Sequence, residues 1–504
     1  MGVLFTWLSP THQLAKEPEG RSTHVADRPL SEKDATMNDF SGKEPPGPST
    51  HLEDTPPTPP VVRTVLEFGA DNKGESDSTV AINEAITAVE ASGGGTVKFP
   101  EGLYKVGTSD SVILLSGVTL AGDSRKSTIR LANCSTLTGS GAALVGKGVS
   151  GFDICDLVLD GNRENQDNLV SLIRLSNCSR VEITGNKMVD CANESISLTD
   201  CHGVFCCLNY MVDSQGTNIK IGGESSNIQI SQNEMQDTGE FSRHDDGFIK
   251  VCYGQKGPES IEIIDNIMKS PQGSGLAMAV WLRSGYFIKL VRNKVDVSCT
   301  CILVQADVSM LGLEFEDNEL QCRGAGVEVS SPCKKGACVE GEINYLKIVR
   351  NTIVGCASTG ISVNPCRKGI QVLNLVIESN AITIQASDKN NKGILAESAI
   401  AKIVQNIIHL EGSVAGDGIQ VAFDEVTVEG NEIHASGINS RGIANFGDHC
   451  TIKGNHIHGT DGYAIFNHKD TDHVLVDENQ LFGCGEGILN QGPNSTTGNN
   501  PSVP

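Results

Sequence analysis

A short phrase that alternates apolar and polar residues and then reaches an asparagine recurs along most of this chain. Its clearest copy runs from Val181 to Met188 and reads VEITGNKM. The asparagines of the successive copies are Asn186, Asn233, Asn266, Asn293, Asn318, Asn351, Asn380, Asn406, Asn431, Asn455 and Asn479. In the last copies these asparagines are 24 residues apart. Because self-similarity at a fixed period marks a repeat architecture, this feature constrains the fold more than composition does.

Each copy predicts one coil of a solenoid. The alternation is typical of a strand, and the asparagine that follows tolerates the left-handed backbone of a turn. A second short strand, opened by glycine, follows many copies, as in Gly326 to Val329 and Gly418 to Val421. One coil cannot bury its apolar face alone, so the coils must stack. We therefore predict an all-β fold, a single-stranded right-handed parallel β-helix whose asparagines form a hydrogen-bonded ladder.

The sequence predicts three regions. Residues 1–60 are polar and proline-rich and are expected to be a disordered arm, residues 61–490 form the β-helix, and residues 491–504 are a disordered polar tail. Just after the arm, a helix is predicted to begin near Asp77, with apolar residues such as Ile82 and Ile86 at helical spacing. Because a terminal repeat needs a covering element, this helix is expected to cap the open end of the solenoid.

Charge restricts the partners. The formal net charge is -23, which argues against nucleic acid because phosphate binding needs a basic surface. No apolar run reaches the length of a membrane span, and the start of the chain lacks the basic leader of a signal peptide. The oligomeric state is left open between a monomer and a homotrimer.

The cysteines bear on location and cofactors. Most of the 17 cysteines are predicted to be buried free thiols, which behave as small hydrophobes. Cys333 and Cys338, in an insertion, are the exceptions in which a disulfide or metal site is expected. Free thiols favour a reducing compartment, non-classical export or a virion. No His/Cys cluster has zinc spacing, so no metal site is assigned, and calcium is left open as a cofactor because the acidic surface can supply oxygen ligands.

The second strands of the early coils predict a groove. The outer residues of each strand triplet should point into the core and the middle residue outward, which gives one outward column of Ser197, Lys220, Lys250 and Met278. Ahead of the Lys250 strand lies the densest run of ionisable residues at any strand entrance. The groove is predicted to contain Arg243, His244, Asp245, Asp246, Lys220, Lys250 and Arg283, with Tyr253 and Trp281 as a flat wall for sugar rings.

Several motifs resemble a known family. They are Phe68-Gly69-Ala70 with Asp77, Gly93 to Val97, and Leu159 to Arg163. Together they resemble the pectate-lyase-like β-helix shared by rhamnogalacturonan-degrading enzymes, phage tailspikes and alginate C5-epimerase modules. The resemblance implies action on a polysaccharide, by removal of the C5 proton of a uronate in the lyases and epimerases.

The resemblance also implies roles for individual residues. Asp200-Cys201-His202 is similar to part of the Asp-Pro-His-Glu motif of the alginate epimerases, and Arg243-His244 is similar to their Arg-His pair. By this resemblance His202 is the base, Arg243 and His244 bind substrate, and Asp200 orients or neutralises it. Ser197 stands where that family has a tyrosine.

Two alternatives stay open from the sequence. Asp245-Asp246 resembles the aspartate pair of polygalacturonase-type hydrolases, which predicts glycoside hydrolysis by two carboxyl groups. The other alternative is a non-catalytic, tailspike-like protein that binds a glycan or serves a structural role.

Overall fold

The computed structural model describes residues 60–137, 141–237, 247–252, 257–271, 278–331, 341–365, 370–385, 391–411 and 416–503. In these residues the chain forms a parallel β-solenoid of about 15 turns. Three sheets, here called sheets 1, 2 and 3, run along the solenoid, and each strand pairs in parallel with the equivalent strand of the next coil.

The strands of the described residues are grouped by sheet. Sheet 1 contains Val61–Thr64, Gly95–Lys98, Val118–Ala121, Ser150–Cys155, Ser179–Thr184, His202–Cys207, Ser226–Ser231, Glu259–Ile264, Tyr286–Val291, Met310–Glu316, Gly341–Val349, Ile370–Glu378, Ala399–Val404, Val426–Glu429, Thr451–Lys453, Leu475–Asp477 and Thr496–Thr497. Sheet 2 contains Lys73–Asp77, Gly102–Val106, Ser127–Leu131, Val158–Asp160, Lys187–Val189, Tyr210–Val212, Glu234–Gln236, Ile267–Lys269, Lys294–Asp296, Glu319–Gln321, Thr352–Cys356, Ala381–Gln385, Ile407–Glu411, Glu432–Ala435, His456–His458, Gln480–Phe482 and Ser502–Val503. Sheet 3 contains Val112–Ile113, Ala142–Lys147, Ser171–Ser176, Ile196–Thr199, Ile219–Gly222, Ile249–Val251, Met278–Leu282, Thr300–Gln305, Val327–Ser330, Thr359–Val363, Asn391–Ala396, Gly416–Val421, Arg441–Asn445, Tyr463–Asn467 and Glu486–Asn490.

The core runs inside the coils. In the strand Ser179–Thr184, Val181 and Ile183 are buried and Glu182 between them is exposed, as the sequence alternation predicts. The same inward positions of the other strands join one continuous hydrophobic cluster. The prediction of an all-β parallel β-helix is therefore confirmed.

Helix is scarce in the described residues. The α-helix Thr79–Ala91 is accompanied by two short 3-10 helices, Val65–Phe68 and Arg163–Asn165. The α-helix begins after Ser78, where the carboxylate of Asp77 accepts a hydrogen bond from the N–H of Thr79 at 2.7 Å. Its buried residues, which include Ile82 and Ile86, belong to the same cluster as the solenoid core. The predicted helix thus packs on the first coils, as expected of a capping element.

The asparagines form the predicted ladder. The side-chain oxygen of Asn406 accepts hydrogen bonds from the backbone and side-chain amides of Asn380, both at 3.0 Å. Its own side-chain amide donates to the carbonyl of Ile377 at 3.0 Å and to the side chain of Asn431 at 2.9 Å. The ladder also includes Asn209, which fills the one gap of 47 residues between the asparagines of the sequence phrase. Since every polar group is paired, burying these amides is tolerated.

The structure bears on the predicted C-terminal boundary of the β-helix but not on the predicted N-terminal arm. The last strands, Thr496–Thr497 and Ser502–Val503, continue sheets 1 and 2 beyond the boundary predicted at residue 490. The arm up to residue 59, and Cys333 and Cys338, lie outside the described residues. The cysteines of the described residues are free, and most of them are buried. Among the described residues, no helix is long and apolar enough to cross a membrane.

Candidate functional site

The outer face of sheet 3 carries a column of cationic and aromatic side chains. Strand pairing aligns Arg174 with Ser197, Ser197 with Lys220, Lys220 with Lys250, and Lys250 with Trp281. The predicted alignment of Ser197, Lys220 and Lys250 is therefore confirmed. The two lysines lie on adjacent coils, at the distance of neighbouring strands.

The predicted place of Met278 in this column is wrong, because Trp281 occupies it. Val280 and Leu282 are fully buried and pair with the core positions Ile249 and Val251, which turns Trp281 outward between them. Met278 lies three residues earlier and pairs with Thr300 in the next coil. Val280 and Leu282, on either side of Trp281, thus take the core positions of this coil and set its register.

A buried carboxylate pairs with the first cations of the column. An oxygen of Glu194 lies 3.0 Å from the Lys220 ammonium, and the other accepts a hydrogen bond from the Ser171 hydroxyl at 2.8 Å. The Arg174 guanidinium lies 3.8 Å from the same carboxylate, whose side chain is only 11% exposed. Glu194 and Arg174 were not singled out from the sequence, because their contact joins neighbouring coils rather than neighbours in the chain.

This ion cluster keeps both Glu194 and Lys220 ionised. Burial raises the pKa of Glu194, but the Lys220 charge and the hydrogen bond from Ser171 outweigh it, so the pKa lies below its ordinary value. Burial alone would lower the pKa of Lys220, yet the Glu194 carboxylate leaves it raised. Lys220 therefore stays protonated at neutral pH and is suited to charge neutralisation rather than to proton removal.

The indole ring of Trp281 contacts two further cationic side chains, Lys250 and Arg283. The Lys250 ammonium lies 4.1 Å from the centroid of the indole ring, and the Arg283 guanidinium carbon lies 4.8 Å from it. Both distances fit cation–π interactions. Arg283 also forms an ion pair with Asp307 at 2.6 Å. Trp281 is 8% exposed, so in this structure it positions cations and is not the open wall for sugar rings that the sequence predicts.

The two clusters are together cationic. Among the described residues, Arg174, Lys220, Lys250 and Arg283 supply four positive charges to these clusters, and Glu194 and Asp307 supply two negative ones, so these six side chains carry a net charge of +2. The chain as a whole carries -23. This part of sheet 3 is therefore electrostatically suited to an anionic ligand.

His202 and Asp200 lie beside this face, across a turn. Two residues separate the sheet 3 strand that ends at Thr199 from His202, which opens a strand of sheet 1. The His202 side chain is exposed, and its Nδ1 lies 2.7 Å from the hydroxyl of Ser226. The Asp200 carboxylate accepts a hydrogen bond from the N–H of Glu224 at 2.8 Å. Each side chain is thus bound to the next coil rather than to the other.

The remaining predicted site residues cannot be placed. Arg243, His244, Asp245, Asp246 and Tyr253 lie outside the described residues.

A further carboxylic acid lies along the same column. Glu328 pairs with Leu303, which in turn pairs with Trp281, so the acid is two coils from the indole. Burial raises the pKa of Glu328. A carboxyl group in this condition holds its proton to higher pH than an ordinary glutamate and can serve as an acid.

The C-terminal part of the same face has a cavity of about 390 Å³. It is lined by Asp417, Arg441, Tyr463 and Phe466 among others. Arg441 binds Asp417 through two hydrogen bonds, at 2.7 and 3.1 Å, and its guanidinium lies 5.0 Å from the Phe466 ring. Charged and aromatic side chains thus recur along sheet 3, although the sequence patterns did not point to these residues.

Several known proteins are similar in sequence to part of this chain. Residues 62–248 match the family described as rhamnogalacturonase A/epimerase, pectate lyase-like. Mannuronan C5-epimerase AlgE1 of Azotobacter vinelandii is 41% identical over 114 residues, which are 21% of this chain and 8% of that protein. Its relative AlgE4 is 40% identical over 109 residues, 20% of each protein. Alginate lyase 7 of the same organism is 36% identical over 111 residues, 20% of this chain and 13% of that enzyme. This chain spans a fifth or less of the length of each of these relatives.

Solved structures share the fold over most of the chain. A mutant tailspike protein of E. coli bacteriophage HK620, in complex with a pentasaccharide, has a TM-score of 0.51 and 12% identity, covering 86% of this chain and 80% of that one. PfbA, a surface adhesin of Streptococcus pneumoniae, has a TM-score of 0.50 and 14% identity, covering 86% and 93%. At such identities these likenesses show the fold alone.

Proposed function

We propose that this chain, which belongs to the pectate-lyase-like right-handed β-helix family, binds an acidic polysaccharide on the outer face of sheet 3 and removes the C5 proton of its uronate residues. The observation that carries this proposal is the cationic set around Glu194 and Trp281 in a strongly acidic chain. The names of its sequence relatives, mannuronan C5-epimerases and an alginate lyase, support the same substrate class.

The cations would stabilise the charge that develops in the reaction. Removing the C5 proton pushes electrons into the substrate carboxylate, so that an enediolate forms. Lys220, Lys250 and Arg283 offer positive charge on adjacent coils for this group. Because the pKa of Lys220 is raised by Glu194, its charge persists through the pH range in which a histidine base is neutral.

His202 is the proposed base. When its Nδ1 donates to the Ser226 hydroxyl, the lone pair on Nε2 is available to accept the C5 proton. A proton delivered to the leaving O4 then completes β-elimination and leaves a C4–C5 double bond, whereas a proton returned to the opposite face of C5 completes epimerisation. Asp200 is proposed to orient or neutralise the substrate, with Arg243, His244 and Tyr253 as further binding groups.

Glycoside hydrolysis is the second candidate. The observation that favours it is Glu328, whose pKa is raised by burial as a general acid requires. Asp245 and Asp246 are the carboxylates proposed to act with it. Hydrolysis adds water across the glycosidic bond and leaves no double bond, so its products distinguish it from elimination.

The proposal is tested with the purified chain and three polymers, namely polymannuronate, polyguluronate and polygalacturonate, with and without calcium. Ultraviolet absorbance detects the unsaturated product of elimination, a reducing-end assay detects every cleavage, and exchange of the C5 proton detects epimerisation. New reducing ends without absorbance would replace the proposal by hydrolysis. Glycan binding with none of the three signals would leave a binding protein.

A pair of lysine variants locates the site. Lys250→Gln removes a cation from the groove, and we expect it to lower turnover about 100-fold, the cost of losing one charge-stabilising group. The matched control is Lys289→Gln, which removes a half-exposed lysine paired with Glu314 on sheet 1. Equal activities of the two variants would contradict the placement of the site on sheet 3.

A further inference from the structure

The outer face of sheet 2 carries a stack of histidines away from the proposed polysaccharide site. Strand pairing aligns His409 with His434, His434 with His458, and His458 with Phe482 in four consecutive coils. The centroids of successive rings are 4.6, 4.4 and 4.5 Å apart, and the interplanar angles are 12°, 9° and 6°. Parallel strand pairing thus repeats one side-chain position so that imidazole nitrogens of neighbouring coils lie close together.

A carboxylate completes the cluster. Glu432 precedes His434 by two residues, so both side chains project from the same face of one strand. An oxygen of Glu432 lies 2.8 Å from Nε2 of His434. One ligand atom from each of Glu432, His434 and His458 lies within 4.8 Å of the other two, and all three residues are partly exposed. The cluster is therefore compact and open to solvent.

The donor set has a definite metal preference. Two imidazoles and one carboxylate are the ligands of open zinc sites, which keep a further position for water. At zinc–ligand bonds of about 2.0–2.2 Å, tetrahedral ligand atoms are about 3.4 Å apart. That separation falls between the 2.8 Å of the Glu432–His434 contact and the 4.8 Å limit of the cluster. Calcium and magnesium prefer sites rich in oxygen, so this set disfavours them.

We propose that Glu432, His434 and His458 bind a divalent transition-metal ion, with zinc the best fit, on the outer face of sheet 2. The lone pairs of stacked imidazoles lie in nearly parallel planes, so one ring must rotate about its side-chain bonds for both to face one ion. Because these side chains are partly exposed, the rotation meets little packing resistance.

The ion would join two coils. Glu432 and His434 belong to the strand Glu432–Ala435, and His458 belongs to His456–His458 in the following coil. A ligand that binds only the folded state stabilises it by RT ln(1 + L/Kd), where L is the free ligand concentration. Zinc is therefore expected to cross-link these two coils and to stabilise the C-terminal part of the described solenoid. This proposal is independent of the polysaccharide site on sheet 3.

Zinc binding to the whole chain tests the proposal. The protein is freed of metal with a chelator and titrated with zinc chloride and, separately, with calcium chloride, by calorimetry and thermal unfolding. We expect zinc to bind and raise the unfolding temperature, and calcium to do neither at this site. Cobalt(II) then reports the ligands, since nitrogen and oxygen donors give ligand-field bands without the intense thiolate charge-transfer band of a cysteine site.

Two variants and one control identify the residues. His458→Gln and Glu432→Gln should each weaken zinc binding by about tenfold or more, since loss even of an outer-shell partner costs 10–100-fold. The control is His473→Gln, which alters another stacked histidine pair, His449 and His473, with centroids 5.0 Å apart in the bends that precede two paired strands of sheet 1. Unchanged zinc affinity in both site variants, or a cobalt spectrum dominated by thiolate, would overturn the proposal. Circular dichroism of the metal-free variants checks that each is folded.

Discussion

At the residue scale, Glu194 sets the charge state of Lys220 on the outer face of sheet 3. Its carboxylate is shared by Lys220 and Ser171, with Arg174 nearby, and it is mostly shielded from water. A carboxylate in this setting costs desolvation energy, which its partners offset. Glu194 thus keeps Lys220 both charged and fixed in place.

Replacing this carboxylate is expected to change stability in a pH-dependent way. The folded-state pKa of Glu194 lies below its ordinary value of 4.5, so its contribution to stability is fully present above that pH and is lost as the pH falls through the lowered value. Glu194→Gln should reduce the free energy of unfolding at neutral pH by about 2 kcal/mol, less than for a fully buried pair because Lys220 is partly exposed. Denaturant unfolding of wild type and variant at neutral pH and below 4.5 measures both effects.

The variant should also lose less stability than wild type when the pH is lowered. Glu319→Gln serves as the control, because it alters an exposed ion pair with Lys294. A difference between wild type and Glu194→Gln that stays constant with pH would contradict this account.

At the element scale, a column of glycines lies where neighbouring strands of sheet 3 leave no room for a side chain. The same strand position holds Gly326, Gly360, Gly393, Gly418 and Gly442. At each of these glycines a Cβ would lie 2.5–2.7 Å from a carbonyl oxygen of the next coil. The conflict is steric, and at these five glycines it comes from the backbone of the next coil.

The chain offers an internal control for this requirement. At Gly418 a Cβ would meet the carbonyl oxygen of Gly442 at 2.6 Å and an Ile433 methyl group at 2.4 Å, whereas Gly487, at the same position of the last sheet 3 strand, has nothing within 4 Å. We expect Gly418→Ala to lower the free energy of unfolding by about 1–3 kcal/mol, as overpacking does, and Gly487→Ala to change it little. Thermal and denaturant unfolding compare the two; equal losses would show that stacking does not impose the glycine.

These elements also show what sequence can predict here. The repeated asparagines and the alternation of Val181 to Ile183 are local patterns in the chain, so the fold could be predicted from the sequence. Asn209 was missed because Phe205, Cys207 and Leu208 occupy positions that are polar or glycine in the clearest copy, so the alternation is hidden. Met278 was placed in the column of Trp281 because small apolar residues flank it. The pairing of Lys220 with Glu194 joins residues 26 apart in the chain, so it depends on the register between coils.

At the scale of the whole molecule, stacking converts single residues into continuous surfaces. Lys220 and Lys250 become neighbours on sheet 3 only through strand pairing, and the histidines of sheet 2 are brought together in the same way. A solenoid can therefore present an extended cationic face within a chain of net charge -23. Under the proposed function, an anionic polymer binds along this face.

The most direct test of the proposed function is proton exchange at C5. Polymannuronate, polyguluronate and polygalacturonate are incubated with the protein in heavy water, and deuterium at C5 together with unsaturated ends is followed by nuclear magnetic resonance. The account predicts deuterium incorporation or unsaturated ends with at least one polymer, and loss of both signals in His202→Ala, with Lys289→Gln unaffected. No exchange and no unsaturated product with any of the polymers would contradict removal of the C5 proton.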